Sequence, residues 1–131
     1  MKQKVKDFLR EKKLFFVDVG ANSTVNIDYP VIVKEVASCV VTAKHFCGIL
    51  ICGSGIGVSI AANRFRGVRA ALCHTVAGAK SAREHTDCNV LCLGCESTDF
   101  ETAKKIINTF LNTKPLNDER YKRRIEMLDK L

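Results

Sequence analysis

Apolar positions along the chain alternate between a helical and an extended period. Residues 3–12 carry Val5, Phe8 and Leu9 on one helical face, and the short apolar run LFFVDV at 14–19, closed by Gly20, reads as a strand. A polar loop through Asn22, Ser23 and Thr24 leads to Asp28-Tyr29-Pro30. After the proline, Val33, Val36, Ala37 and Val40 recur at helical spacing. Residues 48–52 (GILIC) are continuously apolar, the pattern of a strand covered on both faces. A glycine loop and a helix with Ile60, Ala61 and Ala62 follow. Residues 68–73 then read as a strand, 75–85 as a helix and 89–93 as another strand. Helices over 98–112 and 118–131, separated by Lys114-Pro115, close the chain.

Strand and helix in alternation predict an α/β protein: a parallel sheet between two helical layers, with a C-terminal helix. The 131 residues fit a single domain, 1–131, and no repeat, low-complexity tract or linker interrupts it. One feature is out of pattern, because the chain starts with a helix where such folds start with a strand.

Composition narrows the field without selecting a function. With 47% hydrophobic and 27% charged residues the chain has the balance of a soluble protein with a real core. No apolar stretch approaches the ~20 residues of a membrane span. No signal-peptide core follows Met1-Lys2-Gln3-Lys4, so no membrane association and a cytoplasmic location are expected. The net charge of +7 suits anionic metabolites as well as nucleic acid. Acidic neighbours in the basic segments, as in Asp118-Glu119-Arg120, and the absence of interleaved aromatic and basic residues argue against nucleic acid.

Seven cysteines, several within apolar runs (Cys47, Cys52, Cys73, Cys92), read as reduced thiols serving as small hydrophobes. Cys88, Cys92 and Cys95 have the spacing of an iron–sulfur motif. They overlap a predicted strand, on which Cys88 and Cys92 share a face and Cys95 has the other parity, so no metal is expected on them.

The strongest local signal is Cys52-Gly53-Ser54-Gly55-Ile56-Gly57, between the end of an apolar strand and the start of a helix. In an open parallel sheet ligands bind at this position. Three glycines allow a tight turn whose N–H groups converge on something negative, a phosphate or a reaction oxyanion. It is neither of two familiar phosphate loops. A Walker loop ends in Gly-Lys-Ser/Thr, whereas Gly57 is followed by Val58 and Ser59, and the dinucleotide fingerprint needs a glycine where Val58 stands. Cys52 beside those N–H groups reads either as a usable base or nucleophile with a lowered pKa, or as a buried structural cysteine.

This loop, together with Ser59-Ile60-Ala61-Ala62-Asn63, Gly67-Val68-Arg69-Ala70, Asp28-Tyr29-Pro30, Ala82-Arg83-Glu84-His85 and the stretch from Arg120 to Arg124, resembles the ribose-5-phosphate isomerase B family in register over nearly the whole chain. The resemblance implies a Rossmann-like parallel sheet and an aldose–ketose isomerase of the pentose phosphate pathway. It also implies a sugar-phosphate substrate, no metal or cofactor, and a homodimer or tetramer with active sites between subunits. By the same resemblance Cys52 is the base that moves a proton between C2 and C1. Gly53, Gly55 and Gly57 line the hole for the enediolate oxygen, Ser54 relays a proton, and His85 opens the sugar ring. Arg120 and Arg124 hold the phosphate, and Tyr29 and Asn63 line the pocket. Taken alone, His85 reads more readily as a helix-end histidine, and the two arginines equally as a solvated helix face.

The match departs from the family in four places. The family's first strand, ending in an Asp-His pair, is not in the chain, so either the native start lies upstream or this is a degenerate member. Thr86 replaces an asparagine, Glu96 stands where a third phosphate arginine is expected, and Tyr121 replaces a histidine. A carboxylate at position 96 would repel phosphate. A catalytically impaired sugar-phosphate-binding relative, or an isomerase of allose or galactose 6-phosphate, are therefore the competing readings.

Overall fold

The computed structural model describes residues 1–21, 27–43 and 46–131, so the loop containing Asn22, Ser23 and Thr24 lies outside the described residues. Six helices and three strands follow one another as α1 Lys2–Glu11, α2 Tyr29–Thr42, β1 Gly48–Cys52, α3 Ile56–Ala62, β2 Ala70–Leu72, α4 Val76–Thr86, β3 Val90–Gly94, α5 Phe100–Asn112 and α6 Glu119–Leu128 among the described residues. The strands form a parallel sheet in the order β1-β3-β2. Gly48 is registered on Val90, Cys52 on Gly94, and Ala70 also on Val90.

The central strand explains the layering. Alternate residues of β3 point to opposite faces, and both faces are apolar, so each takes a helical layer. Leu91 and Leu93 join Val5, Phe8 and Leu9 of α1, Ala79 of α4 and Ala103, Ile106, Ile107 and Phe110 of α5. Val90 and Cys92 join Val33, Ala37 and Val40 of α2 and Val58 and Ala62 of α3. The α5 stripe recurs at three- and four-residue steps and is fully buried, and each such large side chain contributes roughly 1.5–3 kcal/mol by leaving water. Local signals set the helix starts. Thr75, Asp99 and Asp118 accept from the backbone N–H groups of Gly78, Thr102 and Arg120 at 3.0, 3.0 and 2.8 Å.

Two sequence expectations need correction. The strand predicted over 14–19 does not form: the run lies outside the sheet, with Leu14, Phe15 and Val17 exposed. Phe16 packs on the α1/α5 cluster, Phe15 stacks on Phe46 with centroids 6.2 Å apart, and Asp18 pairs with Lys2 and Lys6 at 2.8 and 2.7 Å. An apolar run becomes a strand only when a neighbour offers ladder groups, and none lies beside it among the described residues. β1 is accordingly a sheet edge.

The cysteine geometry also differs. Cys88 precedes β3 and packs in the α1/α4/α5 cluster, whereas Cys92 within β3 faces the α2/α3 cluster. Strand parity does not reach Cys88, whose Sγ is turned toward the Arg69 carbonyl at 2.7 Å.

Candidate active site

The glycine loop stands at the carboxyl end of β1 and is extended toward β3 by two backbone bonds, Cys95 N–H to Cys52 O at 2.9 Å and Glu96 N–H to Gly53 O at 3.0 Å. Gly55 is left-handed at φ 79°, and a Cβ there would lie 2.5 Å from Leu72 Cδ1 and 2.9 Å from the Gly94 nitrogen. The loop is thus pressed onto the sheet, which turns its amides back on the preceding side chains. Gly55 N–H donates to Cys52 Sγ at 3.1 Å, and Ile56 N–H donates to Ser54 Oγ at 3.2 Å.

Cys52 is half-buried, unlike Cys73, Cys88 and Cys92, which are buried and whose thiols are pushed up by burial to about 11, 12 and 12. Those three are held as inert thiols, and Cys52 stands at the mouth.

Tyr29, at the start of α2, reaches this loop. A Cβ on Gly57 would lie 2.8 Å from Tyr29 Cζ, so the absent side chain is the space the phenol occupies. Glu96 also arrives here, because a Cβ on Gly53 would meet its Oε1 at 2.6 Å. Ser97 Oγ lies 3.4 Å from His74 Nδ1 at the end of β2, completing a polar rim of Glu96, Ser97 and His74. Sequence reasoning set Glu96 at a phosphate-binding position but placed neither Ser97 nor His74 in the pocket. The register of β3 against β1 and β2 brings them there, and only their position just past the ends of strands could have signalled it.

The remaining candidates are elsewhere. α4 runs antiparallel to the strands, so His85 in its last turn lies beside the residues that open β3. Cys88 N–H bonds Ala82 O, and Gly48 N–H bonds Asn89 O, both at the amino edge of the sheet. Four residue steps lead from Gly48 to Cys52, a rise of about 13 Å that keeps His85 away from the thiol of its own chain.

Arg120 and Tyr121 join His85 at that far end. The Tyr121 ring stacks on His85 with centroids 4.6 Å apart and an interplanar angle of 14°, and the Arg120 guanidinium carbon lies 4.7 Å from the Tyr121 centroid. Arg124 shares the exposed face of α6 with Arg120 at one helical turn. The segment leading to α6 is tied to α4 through Leu116 N–H to Glu84 O at 3.0 Å. Arg69, bonded to Asp87 and Asp129 at 3.0 and 2.6 Å, holds both helix ends.

Asn63 also lies at the amino edge. It caps α3, and its amide bonds Ser59 O at 3.0 Å and both backbone groups of Ala70 at 2.9 Å, so it serves the turn into β2 and not the glycine loop.

The structure therefore gathers Cys52, Ser54, Gly53, Gly55, Gly57 and Tyr29 at one end of the sheet, and His85, Arg120 and Arg124 at the other. Among the described residues no group of His, Cys, Asp or Glu is arranged to hold a metal ion, and no helix is long and apolar enough to cross a membrane.

A family model described as Ribose/Galactose Isomerase matches residues 1–128. The chain belongs to that family. It is a sugar-phosphate isomerase fold of this type throughout, and its fold repeats in solved relatives. The structure of Trypanosoma brucei type B ribose 5-phosphate isomerase superposes with a TM-score of 0.94 at 39% identity, over 99% of this chain and 89% of that one. Ribose-5-phosphate isomerase B of Escherichia coli is 36% identical over 128 residues, 98% of this chain and 85% of the relative. D-erythrulose-4-phosphate isomerase of Pectobacterium atrosepticum is 37% identical over 113 residues, 86% of this chain and 74% of the relative. The family thus includes isomerases named for different sugar phosphates.

Proposed function

We propose that the chain interconverts ribose 5-phosphate and ribulose 5-phosphate through an enediolate, in a site assembled between two copies of the chain. The observation that carries this reading is the half-buried Cys52 sulfur at the loop mouth, held by the Gly55 N–H, with Ser54 one residue away. Cys52 as thiolate takes the C2 proton of the open-chain aldose and returns it to C1. The electron pair moves into the C1–C2 bond while the carbonyl oxygen becomes the enediolate oxygen. Loop amides around Gly53 to Gly57 support that charge where it develops, and Ser54 carries the proton between the two oxygens.

Ring opening precedes this step: His85 takes the proton of the anomeric hydroxyl and delivers one to the ring oxygen as the C1–O bond breaks. Arg120 and Arg124 bind the phosphate as a paired cationic clamp. Because His85 and the arginines lie at the opposite edge of the sheet from Cys52 of the same chain, the full set meets only if a second copy presents its amino edge to this loop. The homodimer is thereby part of the catalytic proposal.

The test is turnover of ribose 5-phosphate by the purified chain beside a Cys52→Ala variant. Loss of turnover in the folded variant supports the reading, and equal turnover in both removes Cys52 as the base. The Glu96 carboxylate over Gly53 favours a second reading on substrate, since it adds a hydrogen-bond acceptor to the rim that a further sugar hydroxyl could use. Turnover of allose 6-phosphate or galactose 6-phosphate in place of ribose 5-phosphate would select it.

A further inference from the structure

At the amino edge of the sheet three side chains from two helices form one stack. His85 lies in the last turn of α4, while Arg120 and Tyr121 lie in the first turn of α6. The Tyr121 ring is nearly parallel to the imidazole and stacked on it, at 14° and 4.6 Å between centroids. The Arg120 guanidinium carbon lies 4.7 Å from the centroid of the same ring, and Arg120 Nη2 donates to Tyr121 Oη at 3.2 Å.

A side chain with two torsions, half-buried and held on both sides, has little freedom to lose when substrate arrives. The exposed guanidinium of Arg120 has much more, and its other ionic neighbour, Asp118, is 3.9 Å away. The ring is therefore the fixed member of the stack, and the histidine and the arginine are set relative to one another through it.

We propose that Tyr121 is a positioning residue that holds His85 and Arg120 in one arrangement, so that ring opening and phosphate binding are aligned on a single sugar phosphate. Tyr121 itself touches no reacting atom. The inference rests on the roles given to His85 and Arg120 above, and it extends them to a residue for which neither composition nor spacing suggested a role. Its two parts separate chemically: the aromatic face orients His85, and the hydroxyl orients Arg120.

The experiment compares Tyr121→Phe and Tyr121→Leu with the full chain, using the imidazole proton resonances and the kinetics with ribose 5-phosphate. Of the three histidines, the His85 signals, assigned by loss in His85→Gln, are expected upfield through the tyrosine ring current. Tyr121→Phe keeps that shift, keeps kcat within about twofold and raises KM a few-fold through the lost Arg120 bond. Tyr121→Leu abolishes the shift and lowers kcat about tenfold or more, as misplacement of an acid–base group does.

Circular dichroism of both variants separates these losses from unfolding, and if Tyr121→Leu does not fold, Tyr121→Phe and the wild-type ring-current shift still decide. Unshifted His85 signals in the wild type, or a folded Tyr121→Leu with unchanged kcat and KM, would overturn the proposal. A wild type that turns over no sugar phosphate overturns the isomerase reading instead. The stack is then judged by the His85 shift and by binding of inorganic phosphate to wild type and Tyr121→Phe.

Discussion

The carboxylate of Glu96 lies over Gly53, occupying the space a side chain at that position would need, with Oε1 2.6 Å from where its Cβ would stand. Glu96 is exposed and its backbone is fixed by the bond to Gly53 O, so a negative charge is built into the rim of the pocket. At a separation of about 6 Å in water-like surroundings, repulsion amounts to about 0.7 kcal/mol for each unit of charge on a phosphate. Glu96→Gln is therefore expected to lower KM for sugar phosphates by about threefold or more at low salt, an effect that shrinks as ionic strength rises. Steady-state kinetics at two salt concentrations checks it.

The loop glycines differ in what surrounds them. At Gly53 an added methyl meets the movable end of Glu96, whereas at Gly94 it runs into the Ser54 carbonyl, which is backbone. Gly94→Ala is expected to cost about 2 kcal/mol or more of stability, and Gly53→Ala less than about 1 kcal/mol. Urea denaturation of both variants measures the difference.

Asp18 predicts an acid-sensitive contribution to stability. Burial would push its carboxyl up, but hydrogen bonds from Lys2 and Lys6 and the Gly20 N–H outweigh burial and hold it at about 2. A folded-state value below the unfolded one stabilises above the unfolded pKa, near 3.9, and that stabilisation is lost as pH falls from there through about 2. With Lys2 partly exposed the effect is discounted to about 1 kcal/mol. Asp18→Asn is expected to be less stable at pH 6 by about that amount, with most of the difference lost by about pH 2. Denaturation series at the two pH values test this.

The thiols should separate by access. Exposed Cys95 and half-buried Cys52 are expected to react with iodoacetamide well before Cys73, Cys88 and Cys92, which burial pushes up to about 11 and 12. Ribose 5-phosphate should protect Cys52 and leave Cys95 unprotected, as read by peptide mass mapping.

Much of this was legible in the chain. The continuous apolar runs at 48–52 and 90–93 have no polar face, and parallel strands formed there. The glycine loop announced its own geometry because positive φ at Gly55 and close approach at Gly94 admit little else. The run at 14–19 misled because an apolar pattern does not reveal whether a neighbouring strand is there to complete a ladder. Asn63 is taken up by local bonds to Ser59 and Ala70, which a helix-ending amide makes as readily as it lines a pocket. The Glu96 contact and the His85–Tyr121 stack were beyond reach, because both join residues through the register of elements far apart in sequence.

The separation of Cys52 from His85 within one chain makes the shared site the central claim. The most direct test mixes folded Cys52→Ala and His85→Ala chains, each inactive alone, under conditions that let subunits exchange, and measures ribose 5-phosphate isomerisation. Random pairing should restore about a quarter of wild-type activity, since half the dimers are mixed and each carries one intact site. No recovery from mixtures shown to contain mixed dimers would contradict the account.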